Sequence, residues 1–311
     1  MKNRLLAVFM ITVLSAAMMA GCGKKDAPVE DAPEATTEAS TEASTEEASV
    51  EEPAPEPSDA ATEEASDPLI TADLDETIGN GILITNNNLY KAGETQGEGH
   101  ILMDKEEPDE NGEIKCYVLE TFGAYEFQDG NFVRCAGSGV IPAVVTVKAN
   151  DDGTYEFISI VEAEDGSNFV DSIKENFPEK LWSRCITIED DDRNELNKQD
   201  RAYAEEYLST IGREDAEIGD YSDFEHILLT DEGVSVEVSN KMLDVQSGDG
   251  FEFFCPMWIG DREVLDENVR YTYKTEYDKK KNVITFSKVL YESGEVLESS
   301  TYDAKTGDKG E

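Results

Sequence analysis

Residues 100–122 read HILMDKEEPDENGEIKCYVLETF, two apolar runs on either side of Glu110-Asn111-Gly112. An Asn-Gly pair between apolar runs is a strong hairpin signal, because the tight turns that join antiparallel strands need residues tolerant of positive φ. The same punctuation recurs at Gln128-Asp129-Gly130-Asn131 and at Asp151-Asp152-Gly153. Between these turns run YVLETFGAYEF, VVTV and TYEFISIVEAE. Asp-Gly and Asn-Gly turns between β-branched and aromatic runs predict an antiparallel meander.

Helical periodicity flanks this meander. Residues 73–87 predict a first helix: Asp73 and Glu76 have capping-box spacing, and Leu74, Ile78 and Ile82 share one face. Residues 170–185 predict a second, broken or kinked at Pro178. Residues 189–212 predict a third, with an acidic start that suits the helix dipole and Gly212 placed to end it. After a turn-rich link over 213–225, the chain reads as strands at 233–239, 250–259, 269–277, 282–292 and 295–303. The expected fold class is α+β: an antiparallel meander packed with about three helices over 69–212, then a β-rich portion over 213–311 that is either its own small sheet or a continuation of the first.

The stretch CAGSGVIPAVVTV, 135–147, carries a glycine pair beside a serine. A phosphate-cradling loop feeds a helix N-terminus, whose free N–H groups hold the anion. Here Gly137 and Gly139 lead through Pro142 into a β-branched strand, so the glycines read as a bulge or kink.

The first 68 residues have a different character. Lys2 and Arg4 precede an apolar stretch, Leu5 to Met18, too short to span a bilayer. It closes on Met19-Ala20-Gly21-Cys22, a pattern that resembles bacterial lipoprotein signals. That resemblance implies a signal peptide over 1–21, cleavage between Gly21 and Cys22, and a diacylglyceryl thioether on Cys22. The expected location is the outer, extracytoplasmic face of the cell membrane, in an envelope of Gram-positive type. Residues 23–68 hold 15 acidic residues, two lysines and no aromatic residue. Such a segment cannot bury enough apolar surface to offset its ordering entropy, so 22–68 is expected to be a lipid-anchored acidic tether. The chain has a formal net charge of −44, of which residues 69–311 carry −33. That field excludes nucleic acid as a partner and disfavours direct contact with an anionic membrane surface. The expected partners are the membrane, through the Cys22 lipid, and an envelope protein or cell-wall component.

Several segments together resemble a known module. They are Tyr117-Val118-Leu119, Gly123-Ala124-Tyr125-Glu126-Phe127, Gly137-Ser138-Gly139, Ile141-Pro142-Ala143-Val144-Val145, Asp165-Gly166-Ser167 and Ser172-Ile173-Lys174-Glu175-Asn176-Phe177-Pro178. In this order they resemble an extracytoplasmic module that accompanies the β-lactam-sensing receptor metallopeptidases and also occurs in stand-alone lipoproteins. The resemblance covers about 73–208 and implies an accessory or sensing role at the envelope. It does not imply proteolysis. Those receptors use an H-E-x-x-H zinc motif, whereas here Ile101 follows His100 and Ile227 follows His226.

Catalytic motifs are absent from the sequence. With two histidines and no G-x-S-x-G elbow, a Ser-His-Asp triad has little to draw on. Cys116, Cys135 and Cys255 lie in apolar or glycine-rich strand segments of an acidic chain, which suits packing rather than nucleophilic chemistry. With Cys185 they allow two disulfides or none. Among so many acidic side chains, no carboxylate pair stands out for glycoside hydrolysis. Asp190, Asp191 and Asp192 are weak calcium candidates at a helix start, without an EF-hand pattern. Tyr271, Tyr273, Tyr277 and Trp258 form a candidate binding surface for sugar or peptide, set against ordinary half-buried sheet packing. No cofactor is expected. The sequence therefore points to a non-enzymatic binding, accessory or envelope-sensing lipoprotein. The alternatives are an exported hydrolase of wall glycan or peptide, and a mainly structural spacer.

Overall fold

The computed structural model describes residues 69–90, 93–246 and 250–310. The expected signal peptide, the Cys22 lipidation site and the tether lie outside the described residues. Among those described, the fold is α+β, with five helices on a large and mainly antiparallel sheet.

Strand β3 (Glu113–Gln128) is the hub of that sheet. Strand β2 (Thr95–Lys105) pairs along one edge, and the Glu110-Asn111-Gly112 turn joins the two, with Gly112 at φ 82°. Two strands share the other edge. Strand β4 (Asn131–Gly137) covers Gly123–Gln128, and β5 (Ile141–Ala149) covers Glu113–Glu120. The Gly137-Ser138-Gly139 segment is the step between them. There Ser138 Oγ accepts a hydrogen bond from Phe122 N at 2.9 Å, and Arg134 Nη2 donates to Ser138 O at 2.9 Å. The glycines serve a change of partner along one strand, as the kink reading expects. Beyond β5 lie β6 (Tyr155–Glu162) and the two-residue β1 (Ile70–Thr71).

Both faces of β3 are buried, and side-chain parity divides them. Ile78 and Ile82 of helix α1 (Leu74–Tyr90) pack on Cys116, Val118, Val145 and Val147. On the opposite face, Tyr117 and Val144 receive α2 (Phe169–Asn176) and the Leu181–Cys185 segment. Pro178 breaks the expected 170–185 helix, which restarts as a 3-10 turn running into α3 (Trp182–Ile186). Helix α4 (Asp190–Ile211) covers Tyr125, Phe127 and Phe132 with Ala204 and Leu208, and Gly212 ends it in the left-handed region. Its backbone lies directly on β2. A Cβ at Gly97 would stand 2.5 Å from Asp200 O, and one at Gly99 would stand 2.4 Å from Leu196 O.

The C-terminal portion departs from the sequence reading in three places. The 213–225 link contains β7 (Ile218–Asp220), which pairs in parallel with β4. Residues 233–239, expected as a strand, lead into helix α5 (Val236–Gln246). The alternation of Val234, Val236 and Val238 concealed a period of four: Val234, Val238 and Met242 are buried, and Val236 is exposed. Ser235 Oγ accepts a hydrogen bond from Val238 N, so a serine cap opens this helix. Residues 250–259, also expected as a strand, begin as a 3-10 turn over Phe251–Phe254. Glu252 is buried there, and its Oε1 accepts hydrogen bonds from Ser300 Oγ at 2.8 Å, Lys309 Nζ at 3.0 Å and Tyr302 OH at 3.2 Å.

A four-stranded antiparallel meander follows: β8 (Gly260–Asp266), β9 (Val269–Asp278), β10 (Val283–Leu290) and β11 (Val296–Asp303). It continues the first sheet through one residue pair, Gln128 and Arg262. Side chains reinforce that junction. Trp258 Nε1 donates to Asp129 Oδ2 at 2.9 Å, Arg262 Nη2 to Glu126 Oε2 at 2.6 Å, and Arg270 Nη1 to Glu94 Oε2 at 2.6 Å.

Candidate binding site and the buried polar cluster

The tyrosines singled out in the sequence share one cluster, with Tyr271 and Tyr273 in ring contact at 6.5 Å, whereas the aspartates lie apart from it on α4. Asp190 and Asp191 are exposed in the first turn of α4, while Asp192 is held by Arg184 through bonds of 2.7 and 3.1 Å. Among the described residues, no group of three His, Cys, Asp or Glu side chains is placed to hold a metal ion. Tyr273 is buried in the C-terminal core, and Tyr271 and Tyr277 pack against it partly buried. Trp258 is buried at the junction, its indole edge-on to His226. Cys116, Cys135 and Cys185 are free thiols, and burial pushes Cys116 and Cys185 up to about 11 and Cys135 and Cys255 up to about 12. Thiols in that range are protonated at neutral pH and are poor nucleophiles.

Both histidines have partners. His226 stacks on Tyr221 at 3.8 Å, and its Nε2 lies 2.9 Å from Gln128 Oε1. The His100 ring nitrogens lie 2.9 Å from Glu98 Oε2 and 3.1 Å from Asp75 Oδ1. Tyr203 OH donates to the other Glu98 oxygen at 3.0 Å. Burial alone would lower the pKa of the imidazole, but the hydrogen bond and charge of Glu98, with Asp75, outweigh it and hold His100 above its ordinary value.

Glu120 sits opposite His100 in the β2–β3 register and is 0% exposed. Among the described residues, neither of its carboxyl oxygens has a hydrogen-bond donor. The group within hydrogen-bonding reach is the Glu162 carboxyl on β6, itself without a donor when ionised. Burial, the Glu162 charge and the contact with Glu162, and then the charge of Glu98, raise Glu120 well above the usual carboxylate range. Two carboxyls with one strongly shifted are an ingredient of acid–base catalysis. Here the shifted member lies beneath α1, out of reach of a polymer substrate.

A cavity with mainly apolar walls lies in the C-terminal portion. The Leu228–Val234 turn, α5 and the Pro256-Met257 segment enclose a cavity of about 190 Å³ floored by Met242 and Phe286. Asp231 Oδ2 fixes the turn by accepting from Leu228 N at 2.9 Å. Leu228, Val236 and Met257 line the cavity and are 41, 65 and 55% exposed. Sites for drug-sized ligands run roughly 300–1,000 Å³, so this one suits an amino-acid side chain rather than a free metabolite. Methionines on both sides let the walls adapt to what enters. Asp231 and Glu237, next to lining residues in the chain, are exposed and acidic. The sequence reading missed this site because it took α5 for a strand, which would have placed Val236 and Val238 on the same side.

No protein-family model, curated protein or solved structure matches this chain.

Proposed function

We propose that this protein is a lipid-anchored extracytoplasmic binding or accessory protein, without chemistry of its own, that docks a cationic segment of an envelope protein. The observation that carries the reading is the exposed apolar cavity at Leu228, Val236 and Met257 within a strongly acidic domain. An apolar opening takes an aliphatic side chain, and the surrounding field selects a basic sequence around it. A spacer has no need of such an opening. A hydrolase needs reachable titratable groups, and His100, His226 and Glu120 are all engaged or enclosed. The resemblance to the module of the β-lactam-sensing receptors supports a sensing context.

The test uses a lysine-rich peptide bearing one central leucine, titrated into the protein by calorimetry. Met257→Asn and Val236→Asn are expected to weaken binding tenfold or more, since each removes apolar wall without adding charge, and an amide facing the leucine lacks a partner. Equal binding by the parent and both variants would remove the cavity from the reading. Anchoring is checked separately by mass spectrometry of the membrane fraction. Cys22→Ala should abolish the diacylglyceryl adduct, and its persistence would refute the assignment.

A further inference from the structure

We propose that Glu120 and Glu162 form a proton-binding site that, together with His100, latches helix α1 to the sheet, so that rising pH releases the helix. The geometry supplies three reasons. First, Glu120 is fully enclosed and neither of its oxygens has a donor among the described residues. A buried carboxylate without a donor is costly, and a carboxyl facing another carboxyl can hydrogen-bond only through an added proton. Second, the pair lies beneath the C-terminal end of α1, where Tyr90 stacks on Phe122 at 5.2 Å and where burial, then the charges of Glu162 and Glu120, raise the Tyr90 hydroxyl above its ordinary value. Third, the N-terminal end of the same helix is held by a second proton-dependent contact, Asp75 to His100 at 3.1 Å, and His100 is hydrogen-bonded in turn to Glu98.

The charged and titratable groups around these sites are few. Glu120 is faced by Glu162 from β6, Glu98 and His100 from β2, and Tyr90 from α1. Arg134 and Asp165 act on Tyr90. His100 is faced by Glu98, by Asp75 from α1, and by Tyr203 from α4 through Glu98. None of them supplies Glu120 with a donor among the described residues.

Both contacts respond to pH in the same direction. The folded-state pKa of Glu120 is raised, so its contribution is present below the ordinary carboxylate value and is lost as pH rises through the raised one. The folded-state pKa of His100 is also raised, so its contribution is present below the ordinary imidazole value and is lost as pH climbs through its own raised one. Loss of the first proton places like charges beneath α1. Loss of the second weakens the imidazolium bonds that tie Asp75 down.

The experiment is hydrogen exchange of the α1 amides in the full-length protein between about pH 5 and about pH 9, corrected for intrinsic exchange chemistry. An opening that releases one proton should rise about tenfold per pH unit. Glu120→Gln, which keeps the shape without the titration, should remove that slope and leave only the part due to His100. His100→Gln should remove the rest. Glu107→Gln, at an exposed acid, should change neither. PH-independent protection of α1 in the parent, or an unchanged slope in Glu120→Gln, would overturn the proposal. Should Glu120→Gln fail to fold, infrared spectra of the parent labelled at its glutamate carboxyls decide the matter. A protonated glutamic-acid carbonyl band is expected at neutral pH, and its absence would overturn the latch.

Discussion

Glu94→Ala is expected to destabilise the fold by about 3–5 kcal/mol, measured by urea unfolding, because it removes the carboxylate that holds both terminal nitrogens of a buried guanidinium. The Glu94 side chain is 1% exposed and accepts from both terminal nitrogens of Arg270 and from Tyr207 OH. Arg270 also donates to Glu263 Oε2 at 2.8 Å, and Arg213 reaches both Glu263 oxygens at 2.6 and 3.1 Å. The Arg213 guanidinium lies 3.4 Å from the centre of the Phe127 ring. This network joins the start of β2 and the end of α4 to β8 and β9. Domains are stable by only about 5–15 kcal/mol, so the loss of one member is a large fraction of the total. The double variant Glu94→Leu with Arg270→Met should recover most of the loss, because buried ion pairs roughly break even with well-packed apolar replacements. An additive double variant would show that the carboxylate and the guanidinium do not act as a pair.

Gly137→Ala and Gly139→Ala should differ sharply although they flank one serine. Gly137 has φ 150°, and a Cβ there would stand 2.2 Å from the Phe122 carbonyl oxygen. Strained backbone costs about 1–3 kcal/mol and overpacking a similar amount, so Gly137→Ala should lose roughly 2–5 kcal/mol. A Cβ at Gly139 meets nothing within 4 Å, and its φ is not positive. Gly139→Ala should be neutral or gain a few tenths of a kcal/mol by restricting the unfolded chain. Thermal unfolding of the two variants side by side checks this. Equal effects would mean that the step from β4 to β5 tolerates a different path.

The sequence carried local geometry well and long-range pairing poorly. Asn111-Gly112, Asp129-Gly130 and Asp152-Gly153 marked real turns because turn chemistry is local: Asp129 and all three glycines adopt positive φ. Gly212 marked the end of α4 for the same reason. That β4 and β5 share one edge of β3 is not encoded in any window, since it depends on where β3 ends relative to both. The parallel β7 is hidden likewise in a three-residue segment. Helix α5 was misread because valines two apart satisfy a strand pattern as readily as valines four apart satisfy a helix. The polar cluster did leave a trace. Glu120 is a lone acid within the buried run YVLETFGAY, and Glu98 and His100 alternate with glycines against which α4 packs. A charge in a strand enclosed on both faces must find a partner or a proton, but which one depends on the register between β2, β3, β5 and β6.

Strand β1 has a mechanical consequence. The described chain enters the fold through Ile70 and Thr71, paired antiparallel with Glu156 and Tyr155 at the outer edge of the sheet, and through the bond from Phe157 N to Leu69 O at 2.9 Å. Tension applied at Leu69 meets its bond to Phe157 first and then the pairs of Ile70 and Thr71. The load then reaches Asp73 and the first turn of α1, whose Thr77 backbone N–H bonds to Asp73 O at 3.0 Å. A pull at Leu69 would therefore load a short strand first and then the helix whose Asp75 meets His100.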